Sequence, residues 1–115
     1  MIYHGAVGEG NLTLERFVEV CSATPARMFG LYPKKGTIAV GSDADIVVFD
    51  PNQTTTVSVD TNHMRVDYSA YEGKQVAGKI EMVLSRGRVL IEDGQYHGKP
   101  GDGSYLTRGT NQYLI

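Results

Sequence analysis

Asp45-Ile46-Val47-Val48-Phe49-Asp50 is the strongest strand signal in the chain. Four consecutive β-forming residues predict a strand that is buried on both faces. Pro51 cannot donate to a strand ladder, so we expect the strand to end there. Gly41-Ser42-Asp43 predicts the turn that leads into it. Thr54 to Val59 is a second strand candidate, and its partner is left open by the sequence.

The second half of the chain also predicts strands. Ile80, Met82 and Leu84 alternate toward Arg86-Gly87, which predicts a hairpin turn. Val89 to Ile91 continues to a second turn at Asp93-Gly94, and Gln95 to His97 predicts a short last strand. We expect residues 60–78 to form an irregular, ordered loop and residues 99–115 a polar tail.

The first 30 residues predict helices. Leu14, Phe17, Val18 and Cys21 follow helical spacing and form an apolar stripe that predicts a core-facing surface, with Cys21 as a small buried residue. Thr13 is the expected N-cap, and the helix is expected to end near Ser22.

Thr24-Pro25 then predicts a new helix start, with Thr24 as its cap. This short helix is expected to run from Pro25 to Phe29, with Gly30 as its left-handed terminator. Helices followed by strands make the expected fold class α+β.

Composition excludes several classes of protein. The chain has 115 residues, a net charge of −2, 41% hydrophobic residues and one cysteine. It carries no basic patch for nucleic acid and no apolar run that could span a membrane, so neither is an expected partner. The single cysteine and the lack of a secretory signal favour a cytoplasmic location.

The sequence contains no self-sufficient catalytic constellation. His4, His63 and His97 lack the close spacing of zinc ligands, so a structural or surface role is favoured over metal binding or acid–base chemistry. Nucleophile-elbow and G-x-G-x-x-G motifs are missing. We therefore assign no catalytic, cofactor-binding or metal-binding residue.

Two residue sets have a structural and a functional interpretation. Asp43, Asp45 and Asp50 flank one strand and are expected to accept backbone amides at turns and strand ends. Five tyrosines are expected to serve packing first, with a pocket or a subunit contact as the alternative. They are Tyr68, Tyr71, Tyr96, Tyr105 and Tyr113.

Thr24–Leu31 and Lys35–Asp50 together closely resemble the C-terminal part of amidohydrolase-superfamily enzymes. His63–Gly73 narrows the resemblance to the dihydropyrimidinases and hydantoinases. Ser85–Gly94 and Gly98–Gly103 resemble the same branch, so the resemblance covers essentially the whole chain.

The resemblance implies a piece of a larger enzyme. Enzymes of the dihydropyrimidinase and hydantoinase branch open dihydropyrimidine or hydantoin rings in a (β/α)8 barrel, with two zinc ions bridged by a carbamylated lysine. A small β-sandwich is built from strands before and after the barrel. Residues 1–35 would then be the terminal barrel helices and connection, residues 36–98 the sandwich strands, and residues 99–115 the tail. None of the three histidines matches a metal-ligand position of the family, so the zinc ligands are expected upstream of Met1.

Partners and alternatives follow from the resemblance. The expected partners are the missing N-terminal barrel and sandwich strands, further copies in a dimer or tetramer, and a cyclic amide substrate. Without the missing strands, Ile46–Phe49 is expected to leave an unpaired sheet edge, and the chain alone is expected to be inactive. The alternatives are a non-catalytic relative of the collapsin response mediator type and a free-standing binding module.

Overall fold

The computed structural model describes residues 1–113, and Leu114 and Ile115, the last residues of the expected tail, lie outside them. The first part is helical: a π-helical segment (π1, His4–Gly8), α1 (Leu14–Val18), a second π-helical segment (π2, Glu19–Ala23) and α2 (Thr24–Met28). The second part is a sheet, so the α+β class is confirmed. Its strands are β1 (Ile46–Thr56), β2 (Gln75–Ser85), β3 (Arg88–Glu92) and β4 (Gln95–Tyr96).

The predicted break between two helices is wrong. Thr13 does cap α1, since its hydroxyl accepts the Arg16 N–H at 3.2 Å, but Thr24 is helical and caps nothing. α1, π2 and α2 follow one another continuously. Pro25 lacks an N–H and its ring crowds the preceding turn, and a π-helical turn is wide enough to accommodate both defects without a break.

The apolar stripe of this helix is largely uncovered. Leu14 and Val18 are about half exposed, and Cys21 is exposed, so its predicted burial is wrong. Phe17 is the member that packs, with its ring edge-on to Tyr3 at a centroid distance of 5.8 Å. The stripe has the right spacing, but this chain supplies little to cover it.

β1 is longer than predicted. It passes through Pro51 and includes the start of the separate strand expected at Thr54. The pairing with β2 is irregular between Asp50 and Thr54, where Pro51 needs no ladder partner. The Asp50 carboxylate accepts the Asn52 N–H at 2.8 Å within this irregularity, so its expected acceptance of a backbone amide is confirmed, although the strand does not end there.

The sheet is antiparallel in the order β1-β2-β3-β4. The predicted hairpin turn is confirmed: Arg86 and Gly87 both have positive φ, the geometry of a tight two-residue hairpin loop. Asp93 and Gly94 repeat it before β4. β2 begins at Gln75, within the segment expected to be irregular.

The chain has almost no core of its own. Within residues 1–113 the buried apolar residues are Ala26 and Val76. The radius of gyration is 15.8 Å, against about 13 Å for a compact chain of this length. None of the described helices is long and apolar enough to cross a membrane.

Gly78 tests how tightly β2 packs against β1. It is buried at φ +93°, and a Cβ there would run into the Phe49 ring. We expect Gly78→Ala to lower the free energy of unfolding by about 3 kcal/mol, because left-handed strain and overpacking add. Gly87→Ala is the control: φ is +78° but space is open, so strain alone should cost about 1 kcal/mol. Equal losses by denaturant titration would contradict the packing.

Candidate functional site

The three histidines lie in separate environments. His4 contacts Ala77 and Glu9, the His63 ring packs against Tyr96 at a centroid distance of 5.6 Å, and the His97 N–H donates to the Leu90 carbonyl. Within residues 1–113, no group of three or more His, Cys, Asp or Glu side chains is placed to hold a metal ion. The described residues therefore do not fit a zinc centre.

A charged cluster joins the helix-to-sheet connection to the sheet. Lys35 Nζ lies 2.9 Å from Asp43 Oδ2 and also pairs with Asp45, while Lys34 Nζ lies 3.0 Å from Asp43 Oδ1. The other Asp45 oxygen accepts the Arg86 backbone N–H at 2.9 Å. The predicted acceptance of a backbone amide is confirmed for Asp45, although the donor, Arg86, is distant in sequence. The ion pairs with the lysines were not predicted from the sequence.

The charges of this cluster stabilise one another. The Lys35 and Lys34 ammonium groups hold the pKa of Asp43 below its usual value. Partial burial opposes ionisation of Asp45, but Lys35 and the Arg86 N–H outweigh it and lower its pKa. Burial likewise works against the charge on Lys35, whose pKa is nonetheless raised by Asp45 and Asp43. Lys35 is thus the shared partner of two carboxylates.

The tail begins on the same corner of the sheet. The Arg86 guanidinium donates to Ser104 Oγ at 2.6 Å and to the Asp102 carbonyl, and Arg88 donates to Asp102 Oδ1 at 3.0 Å. The Lys99 N–H donates to Asp102 Oδ2 and, with Arg88, lowers the pKa of Asp102. The β2–β3 turn therefore anchors the start of the tail.

The tail then returns to the helical part. The Gly109 N–H donates to the Gly30 carbonyl at 2.8 Å, and the Gln112 N–H to the Arg27 carbonyl at 3.2 Å. The Arg27 guanidinium lies 4.5 Å from the centre of the Tyr32 ring. Between tail and helix end is an open groove of about 440 Å³, lined by Met28, Phe29, Tyr105, Thr107, Arg108, Gly109 and Asn111.

The candidate functional surface of this chain is apolar. Val47 and Val48 are 57% and 46% exposed, and as neighbours in β1 they face opposite sides of the sheet. β1 is also an edge strand, so the structure does not show the predicted burial of Ile46–Phe49 but does show the predicted open edge. Exposed apolar surface is common at interaction sites, which makes β1 the candidate surface of this chain. All five tyrosines singled out in the sequence are more than half exposed, so the structure does not show the packing role expected for them.

Comparison with known proteins identifies the family. The amidohydrolase family profile matches residues 1–90, and the chain belongs to that family. D-hydantoinase of Streptomyces coelicolor is 55% identical over 113 residues, which are 98% of this chain and 24% of that protein. The chain thus spans about a quarter of the length of this relative.

Comparison with solved structures identifies the same group of enzymes. The structure of D-hydantoinase from Bacillus sp. AR9 matches with a TM-score of 0.90 and 49% identity, over 95% of this chain and 24% of that one. Dihydropyrimidinase from Brevibacillus agri NCHU1002 matches with a TM-score of 0.90 and 48% identity, also over 95% and 24%. The resemblance to the hydantoinase and dihydropyrimidinase branch is confirmed.

The shared role of Lys35 predicts unequal effects of two neighbouring lysines. Lys35→Met should lower the free energy of unfolding by about 1 kcal/mol, because two carboxylates lose their partner. Lys34→Met is the matched control: its side chain is 56% exposed and pairs with Asp43 alone, so its loss should stay below about 0.5 kcal/mol. Equal effects in urea titrations would contradict the pairing.

The same cluster predicts a dependence on acid. Aspartate carboxyl groups of the unfolded chain titrate near 3.8, while Asp43 and Asp45 titrate lower when folded. Their stabilisation is therefore complete above about pH 5 and is lost as the pH falls through the folded values. Lys35→Met should reduce the slope of stability against pH below about pH 5. An unchanged slope would show that the lysine does not hold these carboxylates ionised.

Proposed function

We propose that this chain is the C-terminal part of a zinc-dependent cyclic amidohydrolase that hydrolyses the ring amide of dihydropyrimidines or hydantoins. The carrying observation is the 55% identity to a D-hydantoinase over 98% of this chain but 24% of that protein. In this proposal the helical part belongs to the end of a (β/α)8 barrel, and β1–β4 belong to a small β-sandwich.

The role proposed for this segment is structural. Within residues 1–113 no group of three or more His, Cys, Asp or Glu side chains is placed to hold a metal ion. In this proposal the two zinc ions and their carbamylated lysine would be held by the remainder of the protein. The open β1 edge and the exposed faces at Val47 and Val48 would receive the remaining sandwich strands and barrel. Burying such surface contributes about 25 cal/mol per Å², which gives the segment a stabilising role without a chemical one.

Assembly and location complete the proposal. The groove between Phe29 and Tyr105 presents aromatic surface next to the tail, and aromatic residues are enriched at subunit contacts. We place this end of the chain at a contact between copies of a cytoplasmic homo-oligomer. The choice between dihydropyrimidine and hydantoin lies with residues that contact the ring.

The test uses the protein at its native length. Intact-mass measurement should give about four times 12.5 kDa, as expected if this segment is 24% of the whole. The purified protein should contain zinc by elemental analysis and should open dihydrouracil or hydantoin, with loss of activity after chelation and recovery with zinc.

Two outcomes point to the alternatives. A full mass without zinc and without ring opening would indicate a non-catalytic relative of the collapsin response mediator type. A native mass near 12.5 kDa would indicate a free-standing module that needs a partner to cover its sheet. Either result would overturn the enzymatic proposal.

A further inference from the structure

His4 connects the N-terminal segment to the sheet. The Ala77 backbone N–H in β2 donates to His4 Nδ1 at 3.2 Å, across 73 positions of sequence. The pairing of β2 with β3 runs from Met82 to Ser85, so Ala77 has no partner in β3. The imidazole thus satisfies a partly buried amide of β2, next to the buried Val76.

This hydrogen bond fixes the protonation state of the imidazole. A ring nitrogen that accepts a hydrogen bond carries no proton, so the bonded form of His4 is neutral, with its proton on Nε2. When Nδ1 gains a proton it becomes a donor that faces the Ala77 donor, and the bond is lost. Histidine side chains ordinarily undergo this change between pH 5 and 8.

We propose that His4 is a pH-sensitive latch that holds π1 on the edge of β2 when neutral and releases it when protonated. Release would also loosen Tyr3, whose ring packs edge-on to Phe49 of β1 at a centroid distance of 4.5 Å. The device therefore couples the protonation of one side chain to the attachment of the N-terminal helical part to the sheet.

The surrounding charges leave the direction of the effect intact. Glu9 Oε1 lies 3.7 Å from His4 Nε2 and favours the protonated form, but Glu9 is 58% exposed and exposed ion pairs contribute little. Leaving the partly buried Ala77 amide without an acceptor costs more free energy than this exposed ion pair contributes. From β2 the facing group is Ala77, and the charge of Lys79 is paired with Glu81. From α1, the uncharged Phe17 packs on Tyr3, the neighbour of His4 in sequence.

The test is hydrogen–deuterium exchange of the native-length protein, read on peptides that cover residues 74–80. After correction for the intrinsic pH dependence, protection of the Ala77 amide should fall about tenfold from about pH 7.5 to about pH 5.5. His4→Asn is the matched variant, because it keeps an acceptor near the Nδ1 position that does not titrate. Its protection should be independent of pH.

Glu9→Gln separates the latch from the ion pair. The fall in protection should persist in this variant, because it depends on the bond from the Ala77 N–H to His4 Nδ1 and not on the contact of Nε2 with Glu9. Disappearance of the fall in Glu9→Gln, an equal fall in His4→Asn, or constant protection in the unmodified protein would each overturn the proposal.

A second measurement needs no variant. Nitrogen NMR of the neutral His4 imidazole reports which ring nitrogen carries the proton. A proton on Nε2 supports the latch, and a proton on Nδ1 overturns it, whatever the stability of His4→Asn.

Discussion

The pairing of β1 with β2 is the constraint on which the rest of the structure depends. It runs from Ile46–Leu84 to Thr56–Gln75 and is the longest strand pairing in the described chain. It places Asp45 beside the β2–β3 turn and brings Phe49 against Gly78 and Tyr3. The other edge of β1 has no neighbouring strand in the described chain, and Val47 and Val48 on its two faces are exposed.

Ion pairs and hydrogen bonds, rather than an apolar core, connect the helix-to-sheet connection and the tail to the sheet. Lys35 between two aspartates and Arg86 and Arg88 on Asp102 tie the connection and the tail to one corner of the sheet. Such contacts fix geometry at small gain in stability, because most of these side chains remain partly exposed. Apolar burial normally supplies most of the stability of a domain, and here two apolar residues are buried in the described part. The described residues are therefore held in shape mainly by local hydrogen bonds and ion pairs, and under the proposed function the remainder of the protein would supply the missing apolar cover.

Local signals in the sequence predicted much of the fold. The Thr13 cap, the hairpin at Arg86-Gly87, the turn at Asp93-Gly94 and the left-handed Gly30 depend on interactions within a few residues, and all are present. The errors have a shared cause. Whether Pro51 ends a strand or Thr24 starts a helix depends on how an irregular pairing or a π-helical turn absorbs the proline, and local spacing does not specify this.

The candidate site was less predictable. The apolar stripe through Cys21 and the strand at Ile46–Phe49 have the residue pattern of core elements, yet both are largely exposed here. Periodicity identifies an apolar face, but it does not identify the segment that packs against that face. The pairing of Lys35 with Asp45 and the contact of His4 with Ala77 join residues distant in sequence. The resemblance to hydantoinases is confirmed by comparison, and under the proposed function the remainder of such a protein would cover these exposed surfaces.

The most direct test of this account is the stability of Val48→Asp in the native-length protein. If the remainder of an amidohydrolase covers β1, the new carboxylate is buried and should lower the free energy of unfolding by about 3 kcal/mol. Thr54→Asp, at a polar and exposed position of the same strand, should change it by no more than about 0.5 kcal/mol. A loss at Val48 as small as that at Thr54 would show that this face stays in solvent and would contradict the account.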